Sequence, residues 1–290
     1  MKPEEIQINE TSPTKERSPD YPKILLEIEE ALNTGNEIEY IKERIASLTK
    51  LSQRGEMSHM FHSIHHGFIG PEMVIRRNVM VDPLTLNDDS IYTELFETIK
   101  LFKNMKEWEG KTIREIIPSA IGTTLARYFG NITAYSDTES KNREFYLNHT
   151  VSESEAVSLR ELKGKNLAVC AEKAAVAENL LSFVGLESDI IASIHCRIPS
   201  EDQEVPHYFI LLHAPSTYVI YDPTNPVLSL NEKREVVTFA PAMYQINDDQ
   251  AKSLINGGVM KVEHTDELIN KDGSKIQEKS NRTYSGPKQN

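Results

Sequence analysis

The chain has 290 residues, and 44 acidic against 32 basic side chains give it a net charge of −12. A length near 300 allows one large domain or two modest ones, each with a substantial core. The acid excess argues against sequence-independent nucleic-acid binding, which needs clustered Lys and Arg, and no run approaches the roughly 20 apolar residues that span a bilayer. Two cysteines cannot build a disulfide scaffold, and the opening MKPEEIQINETSPTKER has no apolar signal-peptide core. A cytoplasmic protein with no membrane or nucleic-acid partner is expected. The same features fit delivery into a host cell by a signal-peptide-independent route.

Residues 1–20 are rich in Glu, Pro, Ser, Thr and Lys without periodicity and read as a disordered arm. A helical hairpin follows, with Ile24, Leu25, Ile28 and Leu32 on one stripe, Ile41, Ile45 and Leu48 on another, and a turn at Asn33 to Asn36. In HMFHSIHHGF, a helix would align His59, His62 and His66. Without a neighbouring Cys or acidic ligand, and with Gly67 and Gly70-Pro71 close behind, that cluster predicts a polar helix end rather than a metal site. Further helices are expected around Leu95, Ile99, Phe102 and Met105, and in IREIIPSAIGTTLARYFG, which Pro118 should restart or kink. Residues 21–149 thus form a mainly helical region. Arg76-Arg77 reads as surface charge and Trp108 as core packing.

The texture changes after Thr150. NLAVCAEKAAVAENLLSFVG reads as a buried, Ala-rich helix closed by Gly185, and strands follow in SDIIASIHCRI, PHYFILLHA and TYVIYD. Residues 150–265 are expected to form a second domain of helix and strands, and 266–290 a disordered tail with little to bury.

Three residues in this half carry the chemistry: Cys170 near a helix start, His207 opening one strand, and Asp222 closing the next. A thiol nucleophile needs a base, and the base needs an acceptor that fixes its tautomer and orientation. Unpaired N–H groups at a helix start favour an anion there, and with an upstream donor such as Asn166 they could hold an oxyanion or substrate carbonyl. If Ala214 to Thr217 close a symmetric hairpin, paired residues sum to 431. Asp222 then faces Phe209, and His207 lies diagonal to it on the same face. Of the other candidates, Cys196 alternates with Ile190, Ala192 and Ile194 and reads as a core thiol, His213 sits at the turn, and His195 points away from Cys196.

The pieces Cys170-Ala171-Glu172, LLSFVGLESDII, His207-Tyr208-Phe209 and Asp222-Pro223-Thr224, with intervals of 37 and 15 residues between the three functional positions, resemble the transglutaminase-like branch of the papain-fold cysteine enzymes. The resemblance covers Leu162 to Pro226. It departs at Ala168 and Val169, where the family often has Gly, and at Phe209, where it often has Trp. It implies an α+β, papain-like catalytic core. The implied roles are Cys170 as nucleophile, His207 as base and acid, and Asp222 orienting the imidazole. The implied reaction is acyl transfer on protein or peptide carboxamides with no cofactor and no metal: glutamine deamidation, transglutamination or, alternatively, proteolysis. A fold retained only for protein binding is the contrasting expectation.

Overall fold

The computed structural model describes residues 21–53, 62–69, 74–81, 83–133, 136–149, 157–197, 205–214 and 216–287. The expected arm at 1–20 and His59 lie outside them.

The chain is mixed α/β, with helices packed on a six-stranded sheet. Helices α1 (Tyr21–Thr34) and α2 (Glu37–Gln53) form the expected hairpin, because Ile24, Ile28, Ile41, Ile45 and Leu48 are all buried on facing stripes. Strands β1 (His62–Ile69) and β2 (Val74–Val81) then pair antiparallel. This corrects the expected helix end at His62, His65 and His66. In an extended strand residues three apart fall on opposite faces, so the alignment a helix would give this cluster does not apply.

Four helices follow: α3 (Pro83–Asp88), α4 (Ile91–Lys103), α5 (Ile113–Phe129) and α6 (Ser136–His149). Helix α5 starts at a capping box between Thr112 and Glu115 and runs through Pro118 without a break, ending at Gly130 in the left-handed region (φ 81°). Gly122 is required on this helix, since a Cβ there would meet the Pro241 ring at 2.9 Å. The short β3 (Val157–Ser158) joins β2 in parallel.

Helix α7 (Cys170–Phe183) is buried on every face, which its small Ala171, Ala174, Ala175 and Ala177 permit. Strands β4 (Ser188–Cys196), β5 (Val205–Ala214), β6 (Thr217–Asn231), β7 (Val236–Ile246), β8 (Val259–Ile269) and β9 (Lys275–Ser285), with helix α8 (Asp248–Ile255) before β8, complete the chain. The sheet order is β4-β5-β6-β8-β9, with β7 on the other side of β6. The sheet curls until β9 meets β4 again, where Arg197 and Thr283 exchange backbone hydrogen bonds of 2.9 and 2.7 Å.

Two buried cores result. One joins α1, α2, α4, α5 and α7 to the Tyr208, Ile210, Leu212 and Tyr221 face of the sheet, so the expected boundary at 149/150 cuts through continuous packing. The other lies inside the curl and holds Ile191, Cys196, Phe209, Leu211, Ile220 and Tyr284. The expected tail at 266–290 needs correction: through Ile269 it belongs to β8, and β9 places Tyr284 fully buried in this second core. Among the described residues no helix is long and apolar enough to cross a membrane.

A disordered tail could be removed without cost, whereas a strand carrying a buried aromatic cannot. Deleting residues 275–290 is expected to lower unfolding stability in urea by at least about 3 kcal/mol, the cost of losing one large core aromatic. An unchanged urea midpoint would mean that β9 does not belong to the folded core.

Candidate active site

The β5–β6 hairpin pairs Ala214 with Thr217, His213 with Tyr218 and Ile210 with Tyr221, so each pair sums to 431 as expected. This register puts His207 and Asp222 on one face, and the side chains close the diagonal: His207 Nε2 lies 2.8 Å from Asp222 Oδ2. The side chain of Cys170, the first residue of α7, also interacts with the ring. Phe209, two residues along the strand, stacks beside the imidazole with ring centroids 6.2 Å apart.

Asp222 is held from several directions. Pro223 has no N–H, so the carboxylate reaches past it, and Oδ1 accepts from the backbone N–H groups of Thr224 (3.0 Å) and Asn225 (3.1 Å). Oδ2 accepts from Tyr284 Oη (2.8 Å) and Asn225 Nδ2 (3.2 Å) in addition to His207. Asp-Pro-Thr does not close the strand as expected but lies within β6, where the ladder to β7 is interrupted, and it yields a buried carboxylate whose lone pairs are saturated and whose orientation is fixed.

Burial alone would raise Asp222, but the charge and hydrogen bond of His207, with Arg282 and Tyr284, outweigh it and hold the carboxyl far below its usual range. Burial alone would likewise lower His207, yet Asp222 and Cys170 carry it well above the ordinary histidine value. Both shifts favour the imidazolium–carboxylate pair.

The cysteine is presented by an equally specific arrangement. Val169 precedes α7 and offers no side-chain acceptor, so the first-turn N–H groups are not capped by a side chain at that position. Glu172 turns back instead, its Oε2 accepting from Val169 N (2.9 Å). Its Oε1 accepts from Asn142 Nδ2 (3.1 Å) and Tyr146 Oη (2.9 Å), both on α6. The extended segment before the thiol is pinned as well, by Asn142 on Leu167 O (2.8 Å) and Asn131 on Ala168 O (3.0 Å).

Lys173 is fully buried one residue beyond Glu172, and Nζ donates to the carbonyls of Asn131 (3.2 Å) and Ile132 (3.0 Å). Desolvation dominates it, partly countered by Asp222, Glu172 and Cys170, and brings it down to about 7.

Of the residues expected at the site, Cys170, His207 and Asp222 come together, with exposures of 8%, 2% and 0%. Asn166 is not brought to them by any hydrogen bond among the described residues. It is exposed in a left-handed turn (φ 57°), gives its N–H to Phe129 O (3.0 Å), and puts Oδ1 where a Cβ on Gly130 would sit. Cys196 is buried at 0% exposure, as a core thiol should be, but the expected face is corrected. Ile191 and Ser193 point inward while Ala192 is exposed, and a bulge between Ser193 and Cys196 resets the alternation. His213 pairs instead with Asp189 (2.8 Å) near the hairpin turn. Trp108 stacks on Phe102 at 5.3 Å.

Sequence reasoning did not single out Lys173, Asn142, Asn131, Asn225, Arg282 or Tyr284. Charged Glu172 and Lys173 in an otherwise Ala-rich buried helix were the available signal for part of this set. Among the described residues no group of His, Cys, Asp and Glu could hold a metal ion.

No family model and no curated protein matches the chain. A solved structure described as a TGase aligns over 60% of this chain at 13% identity with a TM-score of 0.29, and this chain spans 46% of that one's length. A superposition of that quality carries no argument about fold or chemistry, so any functional reading rests on the geometry above.

The sign for Lys173 follows from its depressed value. Between about pH 7 and its ordinary value near 10.5 the unfolded chain binds the extra proton, so this group makes stability rise with pH across that window. Lys173→Met is therefore expected to flatten the stability-versus-pH curve from about pH 7 to 10, measured by urea unfolding. An unchanged slope would show that Lys173 is not held in this way.

Proposed function

We propose that the protein is a cysteine-dependent acyl-transfer enzyme acting on carboxamides of protein or peptide substrates. The observation that carries this reading is the His207 ring, bonded at 2.8 Å to Asp222 and interacting with the side chain of Cys170 at a helix tip. Nucleophile, proton carrier and orienting carboxylate then stand in the order that thioester chemistry needs.

In the reaction, Cys170 Sγ, its proton already resting on His207, attacks the carboxamide carbon as a thiolate. The carbonyl oxygen becomes an oxyanion facing the helix tip, where the Cys170 N–H is the natural donor. Collapse breaks the C–N bond, His207 protonates the departing ammonia or amine, and a thioester remains. Water or an amine then adds to the thioester with His207 as base, and expulsion of Sγ as thiolate restores the starting pair with the proton on His207.

The motif resemblance favours a glutamine carboxamide, giving deamidation with water or cross-linking with an amine. A peptide bond entering the same cycle would make the protein a protease. The low exposure of Cys170 favours one contrasting reading, a binding module that retains the fold without a working thiolate pair or turnover. Iodoacetamide separates them: a paired Cys170 reacts well below the pH that a free thiol near 8.5 requires, and a module without the pair does not.

Intact mass spectrometry of glutamine-containing proteins is expected to show a gain of about one dalton for deamidation or a loss of about 17 for cross-linking. Cys170→Ala should abolish either change, and His207→Ala should slow it at least about a hundredfold. Turnover that survives Cys170→Ala would overturn the assignment.

A further inference from the structure

Strand β6 loses its register with β7 between Asp222 and Val227, so the sheet ladder does not hold the backbone that follows the aspartate. That stretch is gripped from elsewhere. β9 crosses back to β4, and its alternation turns Arg282 and Tyr284 to the same buried side. Tyr284 Oη donates to Asp222 Oδ2, the oxygen that also meets His207. Arg282 donates Nη1 to Asn225 O and Nη2 to Pro226 O (3.4 Å), holding the backbone of the turn whose Asn225 side chain touches both Asp222 (3.2 Å) and His207 (3.4 Å). Arg282 is itself fixed by His264, 2.9 Å from Nη2, and His264 is held between Tyr244 Oη (2.8 Å) and Asp266 Oδ1 (3.0 Å).

We propose that the C-terminal strand completes the catalytic site, with Tyr284 and Arg282 as positioning residues that aim the Asp222 carboxylate at His207. The inference rests on the acyl-transfer reading of the same site. Tyr284 fixes one oxygen directly, and Arg282 fixes the turn that the sheet leaves unsupported. Neither touches the thiol, so both act through the aspartate and the imidazole.

The titratable and charged groups around Asp222 are His207 from β5, Tyr221 beside it on β6, Tyr244 from β7, Arg282 and Tyr284 from β9, and Lys173 from α7. Tyr284→Phe keeps the ring and its packing and removes only the donor to Asp222.

The test is the rate of Cys170 modification by iodoacetamide as a function of pH, with Cys196 protection read in the same samples as the measure of an intact fold. For Tyr284→Phe the acid limb should move up by about one pH unit, giving about tenfold slower labelling near pH 6 and little change near pH 9. Arg282→Lys, which keeps the charge and loses the two-carbonyl grip, should move it in the same direction. A purely structural role would instead expose Cys196 and alter labelling at every pH. A Tyr284→Phe curve that overlays the wild type, with Cys196 protected in both, overturns the positioning role and leaves the acyl-transfer reading standing. Wild-type Cys170 reacting as an unassisted thiol would overturn that reading itself, and the positioning role with it.

Discussion

A single buried imidazole, bonded to Asp222 and interacting with Cys170, is the constraint on which the rest of the structure depends. His207 is almost fully enclosed, and a charged ring in that setting is unfavourable unless a partner compensates it. Asp222 supplies that partner at 2.8 Å, and the thiol at the start of α7 supplies the other contact. Taking away the carboxylate would leave a buried cation without its counter-charge, a loss of several kcal/mol in comparable pairs. The two strands of the hairpin, the cap of α7 and the return of β9 all serve to keep these three groups in line.

The surroundings obey the same electrostatic logic. Glu172 and Lys173 are adjacent and both fully buried; Lys173 gives its hydrogen bonds to backbone carbonyls, and Glu172 accepts from the backbone before the thiol and from two side chains of α6. Glu172 ties the first turn of α7 to α6 through Asn142 and Tyr146, and Lys173 ties the same helix to the carbonyls that follow α5. In the proposed acyl-transfer reading α7 presents the nucleophile, and a displacement of about 1 Å along its axis can cost two orders of magnitude in rate. The buried charges work against that shift from inside the core, at the expense of a lysine whose proton is weakly held.

Much of the central triad was legible in the chain itself because β-hairpin pairing is arithmetic. Once the turn at 214–217 was located, the register followed, and His207 and Asp222 had to share a face. Helix α7 was legible for a different reason, since its alanines and its closing Gly185 mark a buried helix and its end. What escaped was strand structure with a polar exterior. KIQEKSNRTYS is largely exposed, with buried positions concentrated at its C-terminal end, so its composition matches that of a solvated tail. The burial of Arg282 and Tyr284 follows from closure of the sheet on β4, a long-range contact that no local pattern records. The face of Cys196 was misread because the bulge after Ser193 shifts alternation by one, and bulges leave little trace in residue type.

The central claim is that Asp222 holds His207 as an imidazolium, and NMR titration of the His207 ring tests it most directly. The account predicts that the wild-type ring stays protonated well above the ordinary histidine value of about 6.5, and that Asp222→Asn brings its titration sharply down. A wild-type ring that titrates at or below that value, and does so unchanged in Asp222→Asn, would contradict it.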